Sequence, residues 1–245
     1  MPVLTDNMTS QSIGGTNYGF SAARIDDLGA SEYTLGVIVL DVSGSTGHMR
    51  PAMEGALKAI VEACRKNPRA DNMMLRVVKF ADQVQEVHGF KPLPDCSDSD
   101  YDGCLGGSGL TALFDACYTS IKSCTQYAQQ LTDKDFDVNA AVFVVTDGGN
   151  NRGAATERMV KEALGEAVSS EALESMVSVL VGLNAGGQLD QLLQAVKTNC
   201  GFTQYVSIAD ATATQIAKLG DFISRSVSSQ SQALGTGGRS QSLAF

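Results

Sequence analysis

Histidine is scarce in this chain: His48 and His88 are the only two among 245 residues. No Cys-x-x-Cys pair occurs either, so the ligands of a zinc site are missing at their usual spacings. The same scarcity removes most hydrolytic machinery. There is no Gly-x-Ser-x-Gly elbow, no phosphate-cradling lysine loop and no His-Glu-x-x-His. Ser43 has no evident base, because His48 is the only nearby candidate and lies in the same short loop. We therefore expect no enzyme. Runs of Lys or Arg are also missing, and the net charge is −9, which argues against nucleic acid as a partner. No apolar stretch approaches the roughly 20 residues of a membrane span. Residues 1–20 lack the basic start and apolar centre of a secretory signal. A cytoplasmic, reducing setting with free thiols is the expectation.

What is present is enough apolar sequence, 43%, for a sizeable core. Continuous apolar runs read as buried strands at 35–40, 73–80, 140–146 and 177–183. Val84 to Phe90 reads as the second arm of a hairpin, and 202–208 as a last strand. Helical spacing recurs over 51–66, from Leu113 to Ala128, from Met159 to Ala167, from Leu189 to Val196 and from Ile216 to Val227. Buried strands alternating with helices predict an α/β fold, doubly wound, with a mostly parallel central sheet, one antiparallel edge strand and helices on both faces. Residues 1–33 read as an irregular N-terminal arm, 34–228 as the domain, and 229–245 as a mobile Ser/Gln/Gly-rich tail. Cys64, Cys117 and Cys124 read as small buried hydrophobes. Cys96 and Cys104 flank an acidic loop and are the pair that oxidation would join.

Two strand ends carry acids. The first delivers Asp41-Val42-Ser43-Gly44-Ser45, and the later one Thr146-Asp147-Gly148. Between them, Gly106-Gly107-Ser108-Gly109-Leu110-Thr111 offers a hydroxyl at a helix start. Glycines there let backbone approach an ion closely. Ligands in doubly wound sheets sit beyond the carboxyl ends of strands, at a switch point. Two carboxylates and three hydroxyls make an all-oxygen set that suits Mg²⁺ or Mn²⁺. A plain hydrogen-bonded turn network is the competing reading.

The combination of Asp41-x-Ser43-x-Ser45, then Thr111, then Asp147 resembles the von Willebrand factor A (VWA) domain and its metal-ion-dependent adhesion site (MIDAS). The likeness covers roughly residues 34–228, and it implies the fold just described. It further implies that Asp41, Ser43, Ser45, Thr111 and Asp147 bind the metal directly or through water. A partner's Asp or Glu would then complete the shell. On that reading Gly44, Thr46, His48, Gly109, Leu110, Gly148 and Asn150 form the partner-binding face. The branch it looks most like is the bacterial stress-associated VWA proteins linked to tellurium resistance. That branch implies an adaptor in stress response or defence, beside an ATPase, kinase or phosphatase. Two alternatives stand: an assembly component of a phage or secretion-like particle, and an accessory subunit of an AAA-type ATPase or chelatase.

Three further residues or motifs have blander readings. Asp115, one turn beyond Thr111, reads as a surface or supporting group. Thr146 reads as orienting the Asp147 loop. Asp98-Ser99-Asp100-Tyr101-Asp102-Gly103 matches half of an EF-hand loop, but Gly109 stands where a bidentate Glu is needed, so a solvated acidic loop is expected.

Overall fold

The computed structural model describes residues 8–238 and 241–245. Among the described residues are eight strands and five α-helices. They run as β1 Met8–Ser12, β2 Gly19–Ala23, β3 Glu32–Asp41, α1 Arg50–Arg65, β4 Met73–Phe80, β5 Val84–Pro92, α2 Leu113–Thr132, β6 Asp137–Thr146, α3 Glu157–Ser169, β7 Ser175–Leu183, α4 Gln188–Cys200, β8 Gln204–Ile208 and α5 Ala213–Thr236. The strands form one sheet in the order β1-β2-β5-β4-β3-β6-β7-β8. Pairings from β4 through β3, β6 and β7 to β8 are parallel. The β4–β5 hairpin is antiparallel, as its short connection requires.

β3 lies at the centre because both of its faces are apolar. Leu35, Val37 and Val39 pack into the layer with α2, α3 and α4. Ile38 and Leu40 pack into the opposite layer with α1 and α5. This period-2 split of one continuous apolar run is what a strand covered on both faces needs. The chain leaves β3 toward β4 on one side and reaches β6 on the other. The carboxyl ends of β3 and β6 therefore flank the switch point.

Two expectations about the ends need correction. Of the arm read as irregular, residues 1–7 lie outside the described part, but 8–12 and 19–23 are strands. β1 and β2 pair antiparallel, and β2 joins β5 at Ala22 and Phe90, so the sheet continues past the hairpin. Glu86 fixes this join by accepting from the Ser21 amide (3.0 Å) and hydroxyl (2.8 Å). Phe20 packs edge-on against Phe90, and the Tyr127 hydroxyl donates to the Ala23 carbonyl at 3.0 Å. The tail is also helical as far as Thr236, with Gly237 in the left-handed conformation as its stop. Its polar residues are held: Asn139 Nδ2 donates to the Gln230 carbonyl at 2.7 Å, and Arg69 Nε to Ser231 Oγ at 3.1 Å. Residues 239–240 of that tail lie outside the described part, and Phe245 rests edge-on against Phe222.

The long loop after β5 is pinned by the buried side chains of Leu93, Tyr101 and Leu105. Its acids do not converge. Asp98 lies 3.8 Å from Arg65, Asp100 2.7 Å from Lys91, and Asp102 pairs with Lys58. Three separate cations thus engage the carboxylates of the half EF-hand. All six cysteines are free thiols, Cys96 and Cys104 included.

Candidate functional site

Leu40 pairs with Val145, so Asp41 and Thr146 are the next residues at the two strand ends. The Thr146 hydroxyl lies 2.6 Å from Asp41 Oδ2, to which it donates. The other oxygen, Oδ1, accepts from the Ser43 amide at 2.8 Å. Asp41 is thereby aimed by its own loop and by the neighbouring strand. It is fully buried, and burial raises its pKa above the ordinary carboxylate value. The Thr146 and Ser43 hydrogen bonds act against that rise, and the charge of Asp147 adds to it.

The loop after β3 closes at once. The Thr46 hydroxyl donates to the Ser43 carbonyl at 3.0 Å, inside a 3-10 turn over Gly44–His48. Arg50 Nη2 donates to the carbonyls of Val42 (3.0 Å) and Ser43 (3.2 Å). The turn brings Ser43 Oγ to 3.3 Å from Ser45 Oγ, and Ser45 Oγ donates to Asp147 Oδ1 at 2.8 Å. A chain of side-chain oxygens thus runs from the end of β3 to the end of β6.

Thr111 is fixed by Asn151. The Thr111 amide donates to Asn151 Oδ1 at 2.7 Å, and the Asn151 amide returns to the Thr111 carbonyl at 3.0 Å. The Thr111 hydroxyl lies 3.7 Å from where a side chain on Gly148 would begin, so it neighbours the Asp147 loop. Helix α2 begins with Ala112 at its cap, which has no side-chain acceptor. Asn150 Oδ1 supplies one from across the gap, taking the Phe114 amide at 3.0 Å. Asp115 is buried. Its Oδ1 accepts from the amides of Ala154 (2.9 Å) and Ala155 (2.6 Å), and its Oδ2 from the Tyr18 hydroxyl at 3.1 Å. It is therefore no surface group, but ties the loop after β6 to α2 and to the N-terminal hairpin.

In the glycine loop, two glycines permit close packing against neighbouring residues. A Cβ on Gly107 would lie 2.4 Å from Val42 Cγ2. At Gly109 the backbone is left-handed (φ 115°), and a Cβ would lie 2.2 Å from Asp82 Oδ2. Asp82 Oδ1 in turn accepts the Leu110 amide at 3.0 Å. Glycine here lets the loop press against Val42 and Asp82, while the Gly109 carbonyl accepts from the Gly44 amide at 3.2 Å.

Of the residues predicted on the recognition face, Gly44, His48, Gly109 and Leu110 are exposed, and Gly148 and Asn150 are half-buried. Thr46 is a correction: it is fully buried, and it shapes the loop instead of meeting a partner. Two supporting residues, Asn151 and Asp82, escape the sequence reading, while Asp115 is the supporting group that the sequence allows. Asn151 follows the recognised Asp147-Gly148-Gly149-Asn150 run directly, and only that nearness to a site acid flags it. Asp82 carries no signal beyond its place in the hairpin turn. The clamping role of Asp115 needs the tertiary contact to be seen.

Three of the five candidate donors, all of them hard oxygens, are spaced as a hard ion requires. Adjacent oxygens on an octahedral ion with bonds of about 2.1 Å stand about 3 Å apart. The Ser43–Ser45 and Ser45–Asp147 oxygens, at 3.3 and 2.8 Å, already have that spacing.

No family model matches the sequence, and none of the curated proteins does. Solved structures do match. One is a D319A mutant of the PilB minor pilin from Streptococcus sanguinis, with TM-score 0.61 and 12% identity over 89% of this chain and 66% of the pilin. A second is the pilus adhesin SpaC from Lactobacillus rhamnosus GG, with TM-score 0.59 and 11% identity over 86% of this chain and 32% of the adhesin. A third is proximal thread matrix protein 1 from the mussel byssus in a form with a zinc-occupied MIDAS motif, with TM-score 0.51 and 20% identity over 80% of this chain and 46% of that one. The fold is α/β and VWA-like. This chain spans less than two thirds of each of the three. No helix among the described residues is long and apolar enough to cross a membrane.

Proposed function

We propose that this chain is a non-enzymatic interaction module that binds a partner protein's carboxylate through a Mg²⁺-type divalent ion. Asp41, Ser43, Ser45, Thr111 and Asp147 would hold the ion. Bound there, it supplies an electrophilic position for an Asp or Glu. The observation that carries the reading is the oxygen chain Ser43–Ser45–Asp147 at the switch point, open at Ser45 and backed by the buried Asp41. Two carboxylates leave room for a third, external one on a divalent cation. The zinc-occupied MIDAS motif of the byssus protein, whose fold is similar, supports a divalent metal here. A stress-response or defence role, beside an ATPase, kinase or phosphatase, belongs to the same proposal, and so does a cytoplasmic location. Affinity capture from a source-cell lysate tests it: partners retained in Mg²⁺ should be lost in EDTA and lost with Asp41→Ala. Identical partners with and without EDTA would sink the ion-bridged mechanism.

A second reading is an assembly component. It is supported by β1, which is an outermost strand of the sheet with Thr9 and Ser10 exposed. A pilin, a pilus adhesin and a byssus matrix protein among the similar folds support it too. Size-exclusion chromatography with and without the N-terminal hairpin separates the readings. A large homo-oligomer that needs the hairpin favours assembly, and a monomer favours the adaptor.

A further inference from the structure

A groove of about 760 Å³ lies directly beside the candidate ion site. One wall is the glycine loop, Gly106 to Leu110, and the other is the end of the β4–β5 hairpin with Lys79 and Gln85. It is continuous with the site at three points. Val42 precedes Ser43, Gly109 takes the Gly44 amide, and Arg152 follows the Asn151 that clamps Thr111.

The groove is lined by two cations, Lys79 and Arg152, against one acid, Asp82. One oxygen of Asp82 is committed to the Leu110 amide. Among the described residues neither cation forms an ion pair, although nine other pairs are present. Lys79 Nζ donates to the carbonyls of Cys104 and Gly106, both at 2.9 Å. An ammonium has three N–H groups, so those neutral partners leave its charge uncompensated and one donor over. Arg152 is exposed, and a guanidinium carries five N–H donors in a planar fork. Leu110, 48% exposed, gives the groove an apolar rim. In a chain of net charge −9, unpaired cations gathered at one groove are a local reversal of sign. Such a reversal steers an acidic ligand to that place and repels it elsewhere.

We infer that this groove takes a second carboxylate of the same partner segment, so that the module recognises an acidic peptide: one Asp or Glu at the ion site and another at Arg152, beside Lys79. Arg152 is the anchor, because a guanidinium can grip a carboxylate with two parallel hydrogen bonds. The inference rests on the ion-bridged reading, and its test separates the two. Short fluorescent peptides of Gly, Ser and Ala carry one central Glu, or that Glu plus a second at each neighbouring position in turn. Their affinities for the full chain are measured by anisotropy in Mg²⁺ and in EDTA. At the favoured spacing the two-Glu peptide should bind roughly fivefold tighter than the one-Glu peptide in Mg²⁺, the gain expected of a partly exposed pair. In Arg152→Gln that ratio should fall to near unity, and in Arg152→Glu below it. If one-Glu peptides bind in Mg²⁺ but no second Glu helps, or if the ratio survives in Arg152→Gln, this inference is overturned and the ion-bridged reading stands. If no peptide binds better in Mg²⁺ than in EDTA, both fall.

Discussion

Asp41 is a buried carboxylate that accepts from the Ser43 amide and the Thr146 hydroxyl, and among the described residues it forms no ion pair. Its folded pKa is raised by burial above the unfolded value. The proton is therefore held more tightly in the fold than in the unfolded chain. The stability tied to this group is full below the unfolded pKa and is lost as pH rises through the folded one. A divalent ion at the site would reverse that cost at neutral pH. Asp41→Asn keeps an acceptor for the Ser43 amide, while the Thr146 hydroxyl can still donate to the Gly148 carbonyl, 2.9 Å away. In EDTA at neutral pH we expect Asp41→Asn to melt at or above the wild-type temperature. In Mg²⁺ at about 100 times its dissociation constant, the wild type should gain about 2.7 kcal/mol and the variant little. Thermal melts in both buffers measure this. A variant destabilised in EDTA, or stabilised equally by Mg²⁺, would contradict this account of Asp41.

At the scale of elements, the N-terminal hairpin reaches the site through one side chain. Tyr18 donates to Asp115, which in turn holds the Ala154 and Ala155 amides at the end of the Asp147 loop. Tyr18→Phe should cost about 1.5–3 kcal/mol, as for a lost hydrogen bond to a charged group. Hydrogen exchange should quicken at residues 147–155 and stay unchanged in α1. Exchange that quickens only in residues 14–23 would show that the hairpin and the loop are uncoupled. This link was not legible in the sequence, and the reason is physical. β1 reads Met8-Thr9-Ser10-Gln11-Ser12 and buries no side chain fully; backbone pairing with β2 and the hydrogen bonds of Gln11 with Gln130 hold it, and neither leaves an apolar pattern. The second half of α5 hid for the opposite reason: Ser226, Gln230 and Ser231 are buried although polar, so no apolar stripe marks them. β3, β4, β6 and β7 were legible because strands covered on both faces must be continuously apolar. Within the candidate site, the five residues proposed to hold the ion drew notice because they stand at strand and helix ends. Asn151 and Asp82 did not, since a polar side chain that satisfies backbone amides looks like any other loop residue until its partner is seen.

For the molecule as a whole, we expect the response to acid to depend on His88, which is not among the candidate ion ligands. His88 is fully buried between β5 and the long loop. Its Nδ1 lies 2.9 Å from the Gly89 carbonyl, and its Nε2 2.9 Å from the Tyr101 hydroxyl. The Gly89 carbonyl can only accept, so Nδ1 carries a proton; with the ring kept neutral by burial, Nε2 then accepts from the Tyr101 hydroxyl. Burial lowers its pKa to about 4, and the nearby Lys91 acts in the same sense. Between pH 6.5 and about 4 the unfolded chain binds a proton here and the folded chain does not. Stability from this group is full above the unfolded value and is lost as pH falls through that window, a change of about 3 kcal/mol. The loss would fall on the loop that walls the glycine segment, since Tyr101 and Lys91–Asp100 sit in the same cluster. Carboxylates also titrate in this range, so the useful quantity is a difference. Urea unfolding at several pH values should give His88→Gln a lower stability than the wild type at pH 7. The two curves should converge as the pH approaches 4, because the variant has no ring to protonate. Parallel curves across that range would show that His88 does not set the acid limit of the fold.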